Sequence, residues 1–167
     1  MDRMILAAMA MFSALSTTAG ATDAVTAASA NSLDYFVGRW QCEGVFPASG
    51  KSIASTLKFE QDTASGALLK HHDDTPPNLY HALELWGFVK AGGLSATIMA
   101  SGGGVFPPFT SPGWSGDTLT WSSSPGVTPA SRFTYVRLSP DRMRVDWSIA
   151  GVEGEYKIGD TLTCVRI

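Results

Sequence analysis

The sequence predicts an all-β fold: an antiparallel up-and-down β-barrel of about nine or ten strands, with a short helical turn ahead of the first. Three observations predict it. Short runs alternating apolar and polar residues recur along the chain between turns, and no long helical period interrupts them; such spacing belongs to an antiparallel barrel or sandwich. The chain carries 17 glycines and 9 prolines, an ample supply of turn residues. Its two cysteines, Cys42 and Cys164, lie in the first and last of the short runs, and those runs become neighbours only if the sheet closes on itself.

The elements follow in order. Residues 1–21 read as a secretory signal: Arg3 gives a positive start, Met4 to Leu15 is apolar, and Ala19-Gly20-Ala21 is a small-residue cleavage site, with Ala28-Ser29-Ala30 as a second. The apolar run is too short to span a bilayer, and no cysteine stands at the cleavage site to anchor a lipoprotein. Residues 22–30 form a flexible leader, and 31–167 the barrel domain. Asn31 or Ser32 can cap one helical turn over Leu33 to Phe36. The first strand runs from about Arg39 to Phe46. The second, Ser52 to Gln61, sets Ile53, Leu57 and Phe59 on one face against Thr56, Lys58 and Glu60 on the other. Ala67 to Asp73 and Leu79 to Val89 follow, joined by a turn with two prolines, and then Leu94 to Ala100. Ser101 to Gly104 is a glycine-rich loop; without a following helix or a lysine it is no phosphate cradle. Pro107 and Pro108 make Val105 to Ser111 irregular. Thr118 to Ser122, Ser131 to Leu138 and Arg142 to Ala150 are strands; in the last, Met143, Val145, Trp147 and Ile149 point inward. Gly151 to Gly159 connects to a closing strand, Asp160 to Ile167.

Gly38-Arg39-Trp40 resembles the Gly-x-Trp mark that opens the first barrel strand of lipocalins and other calycins. In that family the tryptophan closes one end of the barrel and an arginine of the last strand packs over it. The end of this chain, Thr161-Leu-Thr-Cys-Val-Arg166-Ile, offers that arginine, so the resemblance implies Trp40 and Arg166 as the barrel-closing pair. In an antiparallel pair the numbers of facing residues share one sum, and the sum set by Trp40 and Arg166 also brings Cys42 to Cys164. All four side chains then share a face. In an oxidising compartment the two cysteines form a disulfide rather than two buried thiols. More loosely, the chain after residue 30 is similar to an uncharacterised group of secreted bacterial calycin-like proteins, through Tyr80-His-Ala-Leu-Glu-Leu-Trp-Gly87 and Thr110-Ser-Pro-Gly-Trp-Ser-Gly-Asp-Thr-Leu-Thr-Trp121; that likeness implies a periplasmic or secreted protein and no activity.

The composition is that of an ordinary globular chain, 44% hydrophobic and 16% charged. A net charge of −3 without basic runs argues against nucleic acid as a partner. No integral membrane segment is expected in the mature chain, and the sequence sets no oligomeric state.

All three histidines fall in one hairpin. If Asp73 faces Leu79, then His71 faces His81, Leu69 faces Leu83 and Ala67 faces Leu85. That register puts His71, Asp73 and His81 on the inner face near one rim, as candidate ligand-binding residues, and leaves Lys70, His72, Tyr80 and Glu84 to solvent. A slip of one residue reverses the faces and turns Tyr80, Glu84 and Trp86 inward. Two facing imidazoles can hold a polar ligand or a metal, or be structural; no third ligand with metal spacing accompanies them, so no metal site is expected. No cofactor is expected either. Some ten-stranded calycins bind haem through a histidine late in the chain, and this chain has none after His81. Trp86, Trp114, Trp121 and Trp147 read as core, and no catalytic motif of known spacing is present. The expected function is therefore a barrel that binds or carries a small apolar ligand. The alternatives are an isomerase or hydrolase using the His71/Asp73/His81 cluster, and a packed structural or interaction barrel marked by an apolar patch on its outside.

Overall fold

A computed structural model describes residues 33–102 and 104–167. The expected signal, the leader and the capping residues Asn31 and Ser32 lie outside the described residues. A 3₁₀ turn, Asp34–Phe36, leads into twelve strands: β1 Gly38–Phe46, β2 Lys51–Gln61, β3 Leu68–Asp74, β4 His81–Phe88, β5 Leu94–Ala100, β6 Gly104–Val105, β7 Phe109–Ser111, β8 Trp114–Ser115, β9 Thr118–Ser123, β10 Ser131–Ser139, β11 Arg142–Ala150 and β12 Tyr156–Arg166. All pairings are antiparallel. The order β1-β2-β3-β4-β5-β7-β9-β10-β11-β12 returns to β1, so ten strands close a barrel; β6 pairs with the end of β5, and β8 folds back on β9. Closure removes the open edges that an all-β chain must otherwise protect. Among the described residues no helix is long and apolar enough to cross a membrane.

The seam is the predicted one. β1 and β12 pair with Trp40 facing Arg166 and Cys42 facing Cys164. The two sulfurs are bonded, closing a loop with a sequence separation of 122. The Arg166 guanidinium lies 4.2 Å from the centre of the Trp40 ring. It also donates to the carbonyls of Val37 and, at 2.6 Å, Tyr35, which ties the last strand to the turn before the first. Gly38 has φ +120°, and a Cβ there would meet Arg166 Nη1 at 3.1 Å. The glycine of Gly38-x-Trp40 is thus required twice, by its backbone and by the arginine over it.

The 3₁₀ turn plugs the same end. Phe36, fully buried, meets Phe59, Trp86 and Tyr135 at ring separations of 5.3, 5.1 and 5.3 Å. Tyr35 Oη donates to the carbonyls of Ser139 and Arg142, docking the turn on the β10–β11 hairpin. Trp40 Nε1–H donates to the Phe36 carbonyl at 2.8 Å. With Trp121 these rings make an aromatic core that fills this end of the barrel.

Besides the short added strand β8, three elements differ from the sequence reading. Pro107 and Pro108 split the expected irregular strand into β6 and β7. β4 begins at His81 rather than Leu79, whose side chain is exposed. β12 begins at Tyr156, four residues early. Its pairing with β11 continues past a bulge at Trp147/Ser148, where Gly159 is the extra residue, so this one glycine of the expected connection belongs to a strand. A Cβ at Gly159 would stand 2.6 Å from the Trp147 ring, so only glycine lets that indole lie across β12.

Closing so long a loop is worth about 5 kcal/mol by chain entropy, though bonds commonly deliver less. Cys42→Ser or Cys164→Ser should lower the melting temperature by several degrees, and reductant should have no further effect on either variant. Two titratable thiols in the unfolded, unreduced wild-type protein would refute the bond.

Candidate functional site

Away from the plug the barrel is hollow. A cavity of about 330 Å³ opens among the inner faces, at the small end of the ~300–1,000 Å³ usual for ligand sites. Much of its wall is apolar, with Ile53, Leu57, Ile98, Phe133, Val145 and Leu162 among the lining residues. Trp147 is also there. The sequence pattern points it inward, and the structure makes it wall rather than core.

The hairpin that carries the histidines corrects the expected register. β3 and β4 pair with Asp73 facing His81, His72 facing Ala82 and His71 facing Leu83. The faces are also reversed. Leu68, Lys70 and Asp74 are buried on β3, and Ala82, Glu84 and Trp86 on β4. The inward placement expected for His71, Asp73 and His81 is therefore not found, since none of the three lines the cavity. Asp73 and His81 do come together on the outer face, Oδ1 to Nδ1 at 2.9 Å, both well exposed. His71 lies near Glu60 instead, at 3.8 Å. The physical reason is packing: Trp86 outweighs Leu83 and Leu85 as the group that must be buried, and it takes every second residue of β4 inside with it. Leu85 is left 55% exposed on the outside of β4, where Met99 of β5 faces Leu83 and Val105 of β6 faces Met99.

The residues assigned to solvent are the ones inside. Lys70 faces Glu84 across the strands and donates to Oε1 at 2.6 Å, with both side chains almost fully buried. Lys70 also donates to Tyr135 Oη at 3.0 Å, and Trp86 Nε1–H donates to the other Glu84 oxygen at 2.8 Å. Burial alone would lower the Lys70 pKa, but the Glu84 carboxylate beside it outweighs burial and holds the ammonium above its ordinary value. Burial pushes the Tyr135 phenol up. This polar layer lies between the aromatic plug and the cavity, whose lining includes Lys70, Glu84 and Tyr135.

Nearer the open end sits a second group. Asp74 Oδ1 accepts from Ser55 Oγ at 2.6 Å and from His72 Nε2 at 3.1 Å. Burial lowers the His72 pKa, so the ring is neutral and its Nε2–H donates. Burial would raise Asp74, but these hydrogen bonds from His72 and Ser55 hold its carboxyl below the ordinary value. Asp160, on β12 opposite Trp147, also lines the cavity. Its carboxyl has no hydrogen-bond partner among the described residues. Burial, followed by the charges of Asp74 and Asp146, pushes its pKa up to about 6.

No family model matches the chain, and no curated protein matches it.

Lys70→Met should destabilise the protein by about 3–5 kcal/mol in urea unfolding, because Glu84 would be left buried without a counter-charge, and the double variant Lys70→Met/Glu84→Leu should recover more than half of that loss. For Asp160 the folded pKa is raised above the unfolded 3.8, so its contribution is present below about pH 4 and is lost as pH rises to about 6. The loss is on the order of 2 kcal/mol after allowance for partial exposure. Asp160→Asn should therefore stabilise the protein at pH 7 relative to pH 4. Since the lowered pKa of His72 works in the opposite sense over part of this window, the measurement is the difference between variant and wild type. A pH-independent difference would exclude the raised pKa.

Proposed function

We propose that the protein is a binding barrel, working outside the cytoplasm, that holds one small and largely apolar molecule in its interior. The observation that carries this reading is the cavity: one end of the barrel is filled by aromatic side chains, while the other keeps about 330 Å³ open behind apolar walls with a few convergent polar groups. A chain that needed only to fold could fill that space, because each vacant methyl-sized volume costs about 1 kcal/mol. The disulfide supports an oxidising compartment. The closed antiparallel barrel with Arg166 over Trp40 supports the calycin-like kinship that Gly38-x-Trp40 suggests. A reaction run by His71 and His81 draws no support from the cavity, since the two do not face each other and neither lines it.

The neutral apolar fluorophore N-phenyl-1-naphthylamine tests the reading. It should bind the wild-type protein with a blue-shifted emission and a dissociation constant of about micromolar order. Ser131, a small residue in the cavity wall at the start of β10, offers a place to block the space. Ser131→Trp should weaken binding at least about tenfold with the melting temperature held within a few degrees. Absence of binding to the wild type, or equal binding to the blocked variant, would refute a ligand-holding interior. Mass spectrometry of molecules that co-purify from the native host would identify the ligand.

A further inference from the structure

Among the lining residues the charges do not balance. Glu84, Asp74 and Asp160 are acidic and Lys70 is the one cation, since burial keeps His72 neutral. Lys70 is already committed to Glu84 and Tyr135. A ligand carboxylate or phosphate would therefore find no open cation in this wall, and would face two acidic side chains. Asp74 takes both of its bonds, from Ser55 and His72, on Oδ1, and Oδ2 has no hydrogen-bond partner among the described residues. Asp160 has no hydrogen-bond partner on either oxygen among the described residues. Opposite it across the strands stands the Trp147 indole, seated over Gly159, and Tyr80 and Phe133 are further aromatic walls. Aromatic faces beside open carboxylate oxygens form a place that favours a cation with an apolar body.

We propose that the cavity takes an organic amine in its protonated form, an apolar body against Ile53, Leu57 and Val145 with its ammonium held by Asp160 and aided by Asp74. This deepens the binding-barrel reading and rests on it. The ammonium gives Asp160, which has no hydrogen-bond partner among the described residues, hydrogen bonds and a counter-charge of its own. It does so where water is partly excluded, so the pairing is stronger than on a surface. Binding is then linked to pH. The groups around Asp160 are Lys70, His72 and Asp74 of β3, Tyr80 before β4, Glu84 of β4, Tyr135 of β10 and Asp146 of β11. Of these, Lys70 with Glu84 is a matched pair, His72 is held neutral by burial at pH 7.5, the two tyrosines stay neutral, and Asp74 and Asp146 add negative charge, so Asp160 is ionised above about pH 6 and is then open to a cation.

Three probes with the same eight-carbon body separate the parts of this proposal: octylamine, 1-octanol and octanoate, each titrated by tryptophan fluorescence and calorimetry at pH 7.5 and pH 5. Octylamine should bind at least about tenfold more tightly than 1-octanol at pH 7.5, as one charge-assisted hydrogen bond supplies, and octanoate most weakly. At pH 5 the advantage of octylamine should shrink several-fold, while 1-octanol is unchanged. Asp160→Asn should remove the preference for the amine and its pH dependence, with unchanged 1-octanol binding reporting an intact cavity. Should that variant lose 1-octanol binding as well, the ratio between the two pH values in the wild type decides. Octylamine no tighter than 1-octanol, or octanoate the tightest of the three, would overturn the amine proposal and leave the binding barrel standing. Failure of all three to bind would remove the reading beneath it.

Discussion

The pairing of β1 with β12 is the constraint on which the rest of the barrel depends. Ten strands can form an open twisted sheet as readily as a barrel until the first and last are joined, and three interactions at this seam join them in one register. The disulfide links Cys42 to Cys164, Arg166 stacks on Trp40, and the guanidinium reaches back to the carbonyls of Tyr35 and Val37. The third also fixes the 3₁₀ turn, and the turn delivers Phe36 into the barrel's end. A slip of one residue at the seam would separate the sulfurs, unstack the arginine and turn the apolar set of β12 outward together. Closure, register and the plug are therefore one structural decision.

Above the plug, a second constraint sets how deep the cavity runs. An aromatic cluster that includes Phe36, Phe59, Trp86 and Trp121 could in principle extend through the barrel. It stops at Lys70 and Glu84 because a buried ion pair must keep its partners at hydrogen-bond distance. Trp86 and Tyr135 supply these from the aromatic side. The same two residues thus belong to both layers, with rings in the plug and polar atoms in the ion-pair network. The ammonium also lies 5.7 Å from the Trp86 ring centre and 5.6 Å from that of Tyr135, which adds cation–π attraction to the hydrogen bonds. The network is matched in charge and closed on itself, which suits a structural layer and leaves ligand chemistry to the groups beyond it.

Much of this frame was legible in the sequence, and the interior was not. β2 and the first half of β11 declare their faces because their apolar residues alternate with charged ones, and the seam follows from one family-like motif and the constancy of antiparallel sums. The β3–β4 hairpin misleads because both of its faces carry apolar residues. Leu69, Leu83 and Leu85 on one face compete with Leu68, Ala82 and Trp86 on the other, and the count of leucines favours the wrong one. A signal was present in Trp86 and Tyr80, the large aromatics, which share the parity of Glu84. Lys70 and Glu84 looked like a solvent face because single charges belong in water; only their cross-strand pairing makes burial affordable, and pairing is a property of register. Trp147 could be placed inward but not told apart from core, since whether an inward indole meets neighbours or open space depends on what the opposite wall leaves unfilled. The extra residue in β12 was hidden because glycines signal turns far more often than bulges.

The two kinds of buried charge in the barrel separate structural need from ligand need. Lys70 and Glu84 neutralise each other, and the fold would suffer from losing either. Asp160 is different. It is half-buried next to Asp74 and Asp146, without a hydrogen bond among the described residues, and burial and those two charges raise its pKa, so ionising it there disfavours the folded protein. A leucine at that position would extend the apolar wall and remove the cost. An ionisable group that weakens the fold, faces a cavity and sits across from a partly buried indole makes physical sense if something outside the chain completes it, which is the usual relation between local instability and a binding site. Gly159 bears on the same point: by omitting a side chain beside Asp160 it lets Trp147 lie across the strand, so the bulge in β12 arranges the carboxyl and the aromatic wall together.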